Sequence, residues 1–158
     1  MKKINKTNAM RILESMDIAY DYSTYECEDG KVDGVSVAHK TGQNPETVFK
    51  TLVSIGHSKE LYVFCIPVEY ELNLKKAAKA AEEKNIELLP LKDLTKNTGY
   101  VRGGCSPIGM KKHYKTFLDE SALLHDKILV SGGMIGIQLI LKPDDLIKAV
   151  DASYEDLV

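Results

Sequence analysis

Cysteine is scarce in this sequence of 158 residues, and the three that occur lie far apart. Cys27, Cys65 and Cys105 are odd in number, and no two of them form a C-x-x-C pair. A disulfide framework or a structural zinc site needs paired or clustered cysteines. The four histidines also lack the H-E-x-x-H spacing of a helical metal site. The sequence therefore predicts a protein with no metal ligands and no cofactor.

Long apolar runs and an excess of one charge are also missing. No apolar stretch approaches the roughly 18 residues that a membrane-spanning helix needs. The basic N-terminus is followed by no apolar signal segment, so we expect a cytoplasmic protein with no membrane partner. The formal net charge of -2 excludes a protein that holds long nucleic acids by phosphate neutralisation alone.

Two local clusters of basic residues are nevertheless compatible with a contact to nucleic acid. The first is formed by Lys75, Lys76 and Lys79, whose spacing is typical of the solvated face of a helix. The second accompanies a glycine-rich stretch and consists of Arg102, Lys111, Lys112, His113 and Lys115.

A self-contained catalytic nucleophile is not evident, because the sequence has no G-x-S-x-G motif. The glycine-rich stretch Gly103–Gly109 has G-x-x-x-x-G spacing when read from Gly104. Met110 and Lys112, however, replace the lysine and the Ser/Thr of a phosphate-binding loop. This stretch could present backbone N–H groups to an oxyanion, or it could be a plain tight turn. Packing under the turn explains Cys105 better than thiol catalysis does.

The chain length fits one domain over residues 1–158. Alternating and continuous apolar patterns predict strands at 18–25, 49–55, 61–66, 86–89, 100–101, 116–119, 128–131 and 136–141. Capping residues and helical periodicity predict helices from residue 5 or 7 to about 16, at 35–40, at 74–84 and from 143 onward. Shorter helical turns are predicted at 45–48 and 90–96, and a polar connection at 27–33.

Strands outnumber helices in this prediction, which indicates an α/β (α+β) protein with a mixed or largely antiparallel sheet. Such a sheet could curl into a barrel with helices outside. In the helix that Asn73 can cap, Leu74 and three alanines, Ala77, Ala78 and Ala81, are expected to face the sheet.

Lys50 is the most informative single residue. It lies between Val48-Phe49 and Leu52-Val53 in a predicted interior strand, where an unpaired ammonium is costly. Desolvation would lower its pKa, whereas a carboxylate or a bound phosphate would keep it charged. Spacing alone leaves open a second interpretation, a lysine on an edge strand whose head group reaches water.

Four blocks of this sequence resemble the YbaK/EbsC family of Cys-tRNA(Pro) deacylases. They are residues 48–52 (VFKTL), 98–100 (TGY), 103–112 (GGCSPIGMKK) and 130–133 (VSGG). The Asn44-Pro45 turn and the segment 72–77 agree in order and spacing as well, so the resemblance covers nearly the whole chain.

The resemblance implies a YbaK-like fold with a barrel-like mixed sheet of six or seven strands and surrounding helices. It also implies a trans-editing enzyme that hydrolyses mischarged tRNA(Pro), gripping its acceptor end in partnership with prolyl-tRNA synthetase. The implied catalytic residues are Lys50, Gly103 and Ser131. The implied substrate-binding residues are Tyr25, Thr51, Gly104, Ser106, Gly132 and Gln138.

In the family, the thiol of the cysteinyl substrate attacks its own carbonyl, so Lys50 is expected to anchor the substrate rather than attack it. Gln138 departs from the family pattern, because the cysteine-specific bacterial deacylase has aspartate there. This substitution removes a charge and leaves the amino-acid specificity open. Two alternatives follow: a non-catalytic module that binds tRNA or a synthetase, and a thiol-dependent hydrolase that uses Cys105.

Overall fold

The computed structural model of the chain describes residues 5–26 and 34–158. The predicted polar connection at 27–33, with Cys27, lies outside the described residues. The α-helices are α1 (Asn8–Ser15), α2 (Gly34–Thr41), α3 (Leu74–Ala81), α4 (Leu94–Thr98) and α5 (Pro143–Val150). The strands are β1 (Asp21–Thr24), β2 (Phe49–Gly56), β3 (Leu61–Pro67), β4 (Ile86–Leu88), β5 (Lys115–Asp119), β6 (Ile128–Ser131), β7 (Ile137–Leu141) and β8 (Ser153–Glu155).

Side-chain caps fix where several helices begin. Thr7 accepts a hydrogen bond from the N–H of Met10 at the start of α1. Asn44 caps the 3-10 turn Pro45–Thr47, which leads directly into β2. Asn73 accepts hydrogen bonds from the first turn of α3, as its position before the alanine-rich segment predicts.

The alanines of α3 pack as expected, but the prediction for Leu74 is wrong. Ala77, Ala78 and Ala81 are buried, whereas Leu74 is 43% exposed. Leu74 is the first residue of α3 and precedes the buried alanines by about one helical turn. The helix also ends at Ala81, earlier than predicted, because Glu82 adopts a left-handed conformation.

The strands form two sheets rather than one. The smaller sheet is antiparallel with the order β1-β7-β6, and the larger is mixed with the order β4-β2-β3-β5-β8. In the larger sheet β2 pairs with β3 and β4 in antiparallel fashion, while β5 is parallel to β3 and to β8. A parallel bridge between Val48 and Leu129 joins the two sheets where β2 passes β6.

The mixed α/β class is confirmed, whereas the closed barrel with six or seven strands is not. The eight strands among the described residues form two sheets, which share one apolar core and are bridged at Val48 and Leu129. Sequence alternation could not decide this point, because it shows which residues face a core but not which strands pair. Among the described residues, no helix is long and apolar enough to cross a membrane.

One further local prediction failed, and two short elements were missed. Residues 100–101 form no strand, because the Tyr100 N–H binds the Thr98 hydroxyl and the Tyr100 hydroxyl donates to the Ile108 carbonyl. These bonds tie Tyr100 to the glycine-rich loop instead of a sheet. The short strand β8 and the 3-10 turn Glu120–Leu124 were not predicted.

Candidate active site

A pocket of about 330 Å³ opens where the two sheets meet. β2 contributes one wall, and Ser131 of β6 and Gln138 of β7 contribute another. The remaining lining comes from α2, the segment after β1, Val68 after β3, and the beginning of the glycine-rich loop. The lining residues are Tyr25, Val35, Val37, Val48, Phe49, Lys50, Thr51, Leu52, Val68, Arg102, Gly103, Cys105, Ser131 and Gln138.

The structure brings six of the nine residues predicted for the site into this single pocket: Tyr25, Lys50, Thr51, Gly103, Ser131 and Gln138. They come from five separate parts of the chain. The other three, Gly104, Ser106 and Gly132, are buried beside the pocket without lining it in the part of the chain that the structure describes.

Lys50 is half-buried near the beginning of β2, opposite Ile66 of β3. Burial lowers the pKa of its ammonium below the ordinary lysine value, and the negative charge of Glu71 opposes this shift in part. Among the described residues, no side chain or carbonyl makes a hydrogen bond or ion pair with the ammonium. The expected effect of desolvation is therefore present, with the ammonium partly buried at a pocket wall rather than free in solvent.

The two thiols near the pocket are poorly suited to nucleophilic attack. Burial raises the pKa of the Cys105 thiol to about 12, and that of Cys65 to about 12 as well. Only Cys105 lines the pocket, while Cys65 lies beneath Thr51, with 4.0 Å between the Thr51 Oγ1 and Cys65 Sγ atoms. At neutral pH both side chains are protonated and packed in the core.

The glycine-rich loop delivers Gly103 to the pocket and uses its next residues for support. Gly103 has φ +84°, a left-handed conformation that favours glycine. Its N–H makes no backbone hydrogen bond to another described residue. The Gly104 N–H, in contrast, donates to the Val101 carbonyl, and the Ser106 hydroxyl accepts from the Ile108 N–H.

The second glycine loop, which joins β6 to β7, is held against the first. A side chain at Gly104 would lie only 3.0 Å from the backbone nitrogen of Ile135, so the absence of a side chain permits this contact. Within the second loop, the Gly132 N–H donates to the Ile137 carbonyl and the Gly133 N–H donates to the Ser131 hydroxyl. Ser131 is therefore fixed in position while its hydroxyl proton is left for a ligand.

Tyr25 and Gln138 reach the pocket from the smaller sheet. The Tyr25 N–H donates to the Gly136 carbonyl, which continues the β1–β7 pairing by one residue. Gln138 is only 5% exposed, and its Oε1 atom has no hydrogen-bond partner among the described residues. This is a neutral amide at the position for which the family resemblance implies a carboxylate.

The sequence interpretation missed Arg102 and the apolar part of the wall. Arg102 is exposed and lines the pocket immediately before Gly103, and its place in the second basic cluster was the one available signal. The first basic cluster is elsewhere, on α3, where Lys76 pairs with Asp156. In the described parts of the chain, no three His, Cys, Asp or Glu side chains are grouped so that they could hold a metal ion.

Comparison with known proteins agrees with this architecture. The model of the aminoacyl-tRNA editing domain family matches residues 31–149. A curated protein of Enterococcus faecalis, described as the candidate Cys-tRNA(Pro)/Cys-tRNA(Cys) deacylase EbsC, is 40% identical over 99% of this chain and 95% of its own length.

Two crystal structures share the fold at 20% sequence identity. One is a hypothetical protein with a TM-score of 0.84, covering 93% of this chain and 96% of that one. The other, described as a candidate trans-editing enzyme for prolyl-tRNA synthetase, has a TM-score of 0.81 and covers 97% and 98%. The family resemblance drawn from the four sequence blocks is thus confirmed, and the chain belongs to the aminoacyl-tRNA editing domain family.

Proposed function

We propose that this protein deacylates mischarged tRNA(Pro), with Cys-tRNA(Pro) as its principal substrate, and that the pocket around Lys50 is the active site. Membership of the editing domain family and the 40% identity to EbsC support the reaction class. The observation that carries the assignment is the convergence of Lys50, Gly103 and Ser131 on one pocket from three distant segments.

Lys50 acts as a cationic anchor for oxygen atoms of the substrate. Its half-buried ammonium has no partner among the described residues, so a phosphate, ribose or carbonyl oxygen would satisfy it. A nucleophilic role is chemically unfavourable, because an amine that attacks an ester forms a stable amide and would leave the enzyme acylated. Arg102 at the exposed side of the pocket suits the phosphates of the acceptor end.

The ester itself is activated, so positioning and stabilisation of the developing oxyanion supply most of what catalysis needs. The N–H of Gly103 is suited to the oxyanion, and the fixed hydroxyl of Ser131 is suited to a second hydrogen bond. With a cysteinyl substrate, the substrate sulfur attacks the carbonyl carbon and the carbon–oxygen bond to the ribose breaks. The ribose oxygen takes up the thiol proton, and a cyclic thiolactone leaves.

The nature of the substrate also indicates the partner of the protein, its contacts in the pocket and its location. An overall charge of -2 is compatible with gripping only the acceptor end, if prolyl-tRNA synthetase holds the rest of the tRNA. Tyr25, Thr51 and Gln138 then contact the aminoacyl-adenosine end, while Gly104, Ser106 and Gly132 maintain the loops that form the pocket. An aminoacyl-tRNA substrate also supports a cytoplasmic location.

The test is single-turnover deacylation of Cys-, Ala- and Pro-tRNA(Pro), with and without prolyl-tRNA synthetase. We expect Lys50→Ala to slow release from Cys-tRNA(Pro) by about 10²-fold or more, the usual effect of removing one transition-state contact. Lys79→Ala, an exposed lysine of α3 outside the pocket, is the matched control. Equal rates for wild type and Lys50→Ala would contradict the proposal.

A second candidate function is a non-catalytic module that binds tRNA or a synthetase, favoured by the neutral Gln138 in place of a carboxylate. It predicts a tight complex without release of any amino acid. The same deacylation experiment, accompanied by a binding measurement on the intact aminoacyl-tRNA, separates the two functions.

A further inference from the structure

Tyr100 lies between the two glycine loops, shortly before the segment that delivers Gly103 to the pocket. Its hydroxyl donates to the Ile108 carbonyl of the first loop, with 2.6 Å between the two oxygen atoms. Its N–H donates to the hydroxyl of Thr98, which is buried. The residue is therefore fixed both at its backbone and at the tip of its side chain. Tyr100 is not one of the described residues that line the pocket.

The side chain of Tyr100 packs against a glycine of each loop. A Cβ atom added at Gly133 in the second loop would lie 3.1 Å from the Tyr100 Cε1 atom and 3.4 Å from the hydroxyl oxygen. A Cβ atom added at Gly109 in the first loop would lie 2.9 Å from the same hydroxyl oxygen. One side chain thus occupies the space between the loops where neither loop has a side chain of its own, and it helps to set their separation.

Gly133, against which the ring packs, also holds a residue of the pocket. Its N–H donates to the hydroxyl of Ser131, which lines the pocket. Because a serine side chain can otherwise rotate among three staggered positions, this hydrogen bond favours one orientation of the hydroxyl. Loss of the Tyr100 ring would leave an unfilled space beside Gly133, into which the loop can relax. Such a relaxation would weaken the hydrogen bond and release the hydroxyl.

We propose that Tyr100 is a positioning residue for deacylation, which acts through Gly133 on the orientation of the Ser131 hydroxyl. The proposal rests on the deacylase function proposed above and adds a residue from outside the pocket lining. Because Tyr100 does not line the pocket, its ring affects the rate of ester cleavage and not the binding of the substrate. The expected effect on the rate is about fivefold, which corresponds to the net contribution of one ordinary hydrogen bond.

Single-turnover deacylation of Cys-tRNA(Pro) with the full chain in excess separates rate from binding, because it gives both the maximal rate and the half-saturating protein concentration. Tyr100→Leu removes the ring and should lower the maximal rate by about fivefold, with little change in the half-saturating concentration. Tyr100→Phe keeps the ring against Gly133 but loses its bond to Ile108, so it should lower the rate less. Tyr114→Phe is the matched control, because the Tyr114 hydroxyl also donates to a backbone carbonyl, that of Asn97, but lies outside both loops.

A double-mutant cycle tests whether Tyr100 acts through the Ser131 hydroxyl. Ser131→Ala alone should slow the reaction. Tyr100→Leu should then slow it by less than about twofold further, because the hydroxyl that the ring positions is already absent. A residue that merely supports the fold would instead lower the rate by the same factor in both backgrounds. Thermal melting verifies that each variant is folded at the temperature of the measurement.

Hydrogen exchange at the Gly133 amide, followed by NMR, reports the same connection without any substrate. The amide should exchange faster in Tyr100→Leu and in Tyr100→Phe than in wild type, because its hydrogen bond to the Ser131 hydroxyl is weakened. Ser131→Ala removes the acceptor and should accelerate exchange as well, whereas Tyr114→Phe should not. The conservative Tyr100→Phe variant provides this test even if Tyr100→Leu does not fold.

Three results would overturn the positioning role of Tyr100. They are unchanged exchange of the Gly133 amide in the Tyr100 variants, an equal loss of rate in the presence and absence of the Ser131 hydroxyl, and a Ser131→Ala protein as fast as wild type. Each of them is compatible with deacylation by the wild-type protein and leaves the proposed function intact. Absence of deacylation by the wild-type protein would instead contradict the proposed function, whatever the exchange of the Gly133 amide.

Discussion

Val48, the residue immediately before β2, and Leu129 of β6 form a parallel bridge between the two sheets. Both residues are buried in one apolar cluster with Ala38 and Val68, which fixes the spacing of the sheets beside the pocket. Val48 lines the pocket, and so do Lys50 and Ser131, each of which lies two residues after a bridged residue. The apolar cluster therefore helps to set the distance between Lys50 and Ser131.

Lys50 is expected to reduce the stability of the fold. Its pKa is lowered by burial, so the unfolded chain binds the proton more readily than the folded chain. The resulting loss in the free energy of unfolding is fully present below the folded-state pKa of Lys50. It disappears as the pH rises toward the ordinary lysine value of 10.5. We expect Lys50→Met to be more stable than wild type at pH 7 in urea unfolding, and the difference to narrow toward pH 10.

The control is Lys79→Met, which replaces an exposed lysine of α3. The difference between its free energy of unfolding and that of wild type should not narrow in the same way from pH 7 to pH 10. A Lys50→Met protein that is less stable than wild type at pH 7 would mean that the ammonium is paired favourably in the folded state.

Replacement of Cys105 by alanine should leave deacylation nearly unchanged, within about twofold in kcat/KM, because a thiol with a pKa of about 12 supplies almost no thiolate at neutral pH. Alkylation of the Cys105 thiol in the native protein by iodoacetamide should be slow for the same reason. Loss of activity in Cys105→Ala, with an unchanged melting temperature, would instead support the alternative hypothesis of a thiol-dependent hydrolase.

Gly104→Ala should weaken both stability and activity. Its new Cβ atom would lie 3.0 Å from the Ile135 nitrogen and 3.2 Å from the Met134 carbonyl carbon, so the two glycine loops would have to separate. Overpacking of this kind costs about 1–3 kcal/mol. Urea unfolding and kcat/KM measure the two effects.

The control for Gly104 is Gly42→Ala, where φ is +69° but nothing lies within 4 Å. Backbone strain alone should lower its stability without affecting kcat/KM. A similar loss of activity in both variants would show that the contact between the loops is not what matters at Gly104.

Asp119 should be the most sensitive carboxylate for stability among the described residues outside the pocket. It is 1% exposed, and its two oxygens accept hydrogen bonds from the N–H groups of Ser121 and Leu157. Asp119→Ala leaves both donors unsatisfied and should lower the free energy of unfolding by about 2–5 kcal/mol. Asp126→Ala, at an exposed position, should change it by less than about 0.5 kcal/mol.

Several elements of the fold could be predicted because their signals are local. Asn44-Pro45 and Asn73 cap the elements that follow them, and the apolar runs at β2 and β3 identify the central hairpin. Sheet membership could not be predicted, because the Val48–Leu129 bridge joins residues about 80 positions apart and leaves no periodicity in either segment. The assignment of residues 1–158 to one domain stays a prediction.

The candidate site, like the fold, could be predicted from the sequence only in part. Lys50 attracted attention as a lysine in an apolar strand, but spacing could not decide between burial and exposure at a pocket wall. Family resemblance identified Gly103 and Ser131, whose shared pocket depends on tertiary structure.

The distribution of the pocket residues along the chain also has a consequence for folding. Residues 25, 50, 103, 131 and 138 meet only after distant segments have closed into their final arrangement. Contacts of such high sequence separation form late and slowly, so collapsed intermediates should contain the β2–β3 hairpin before they contain a pocket. A partly synthesised chain that ends before β6 and β7 would lack Ser131 and Gln138, and therefore a complete pocket.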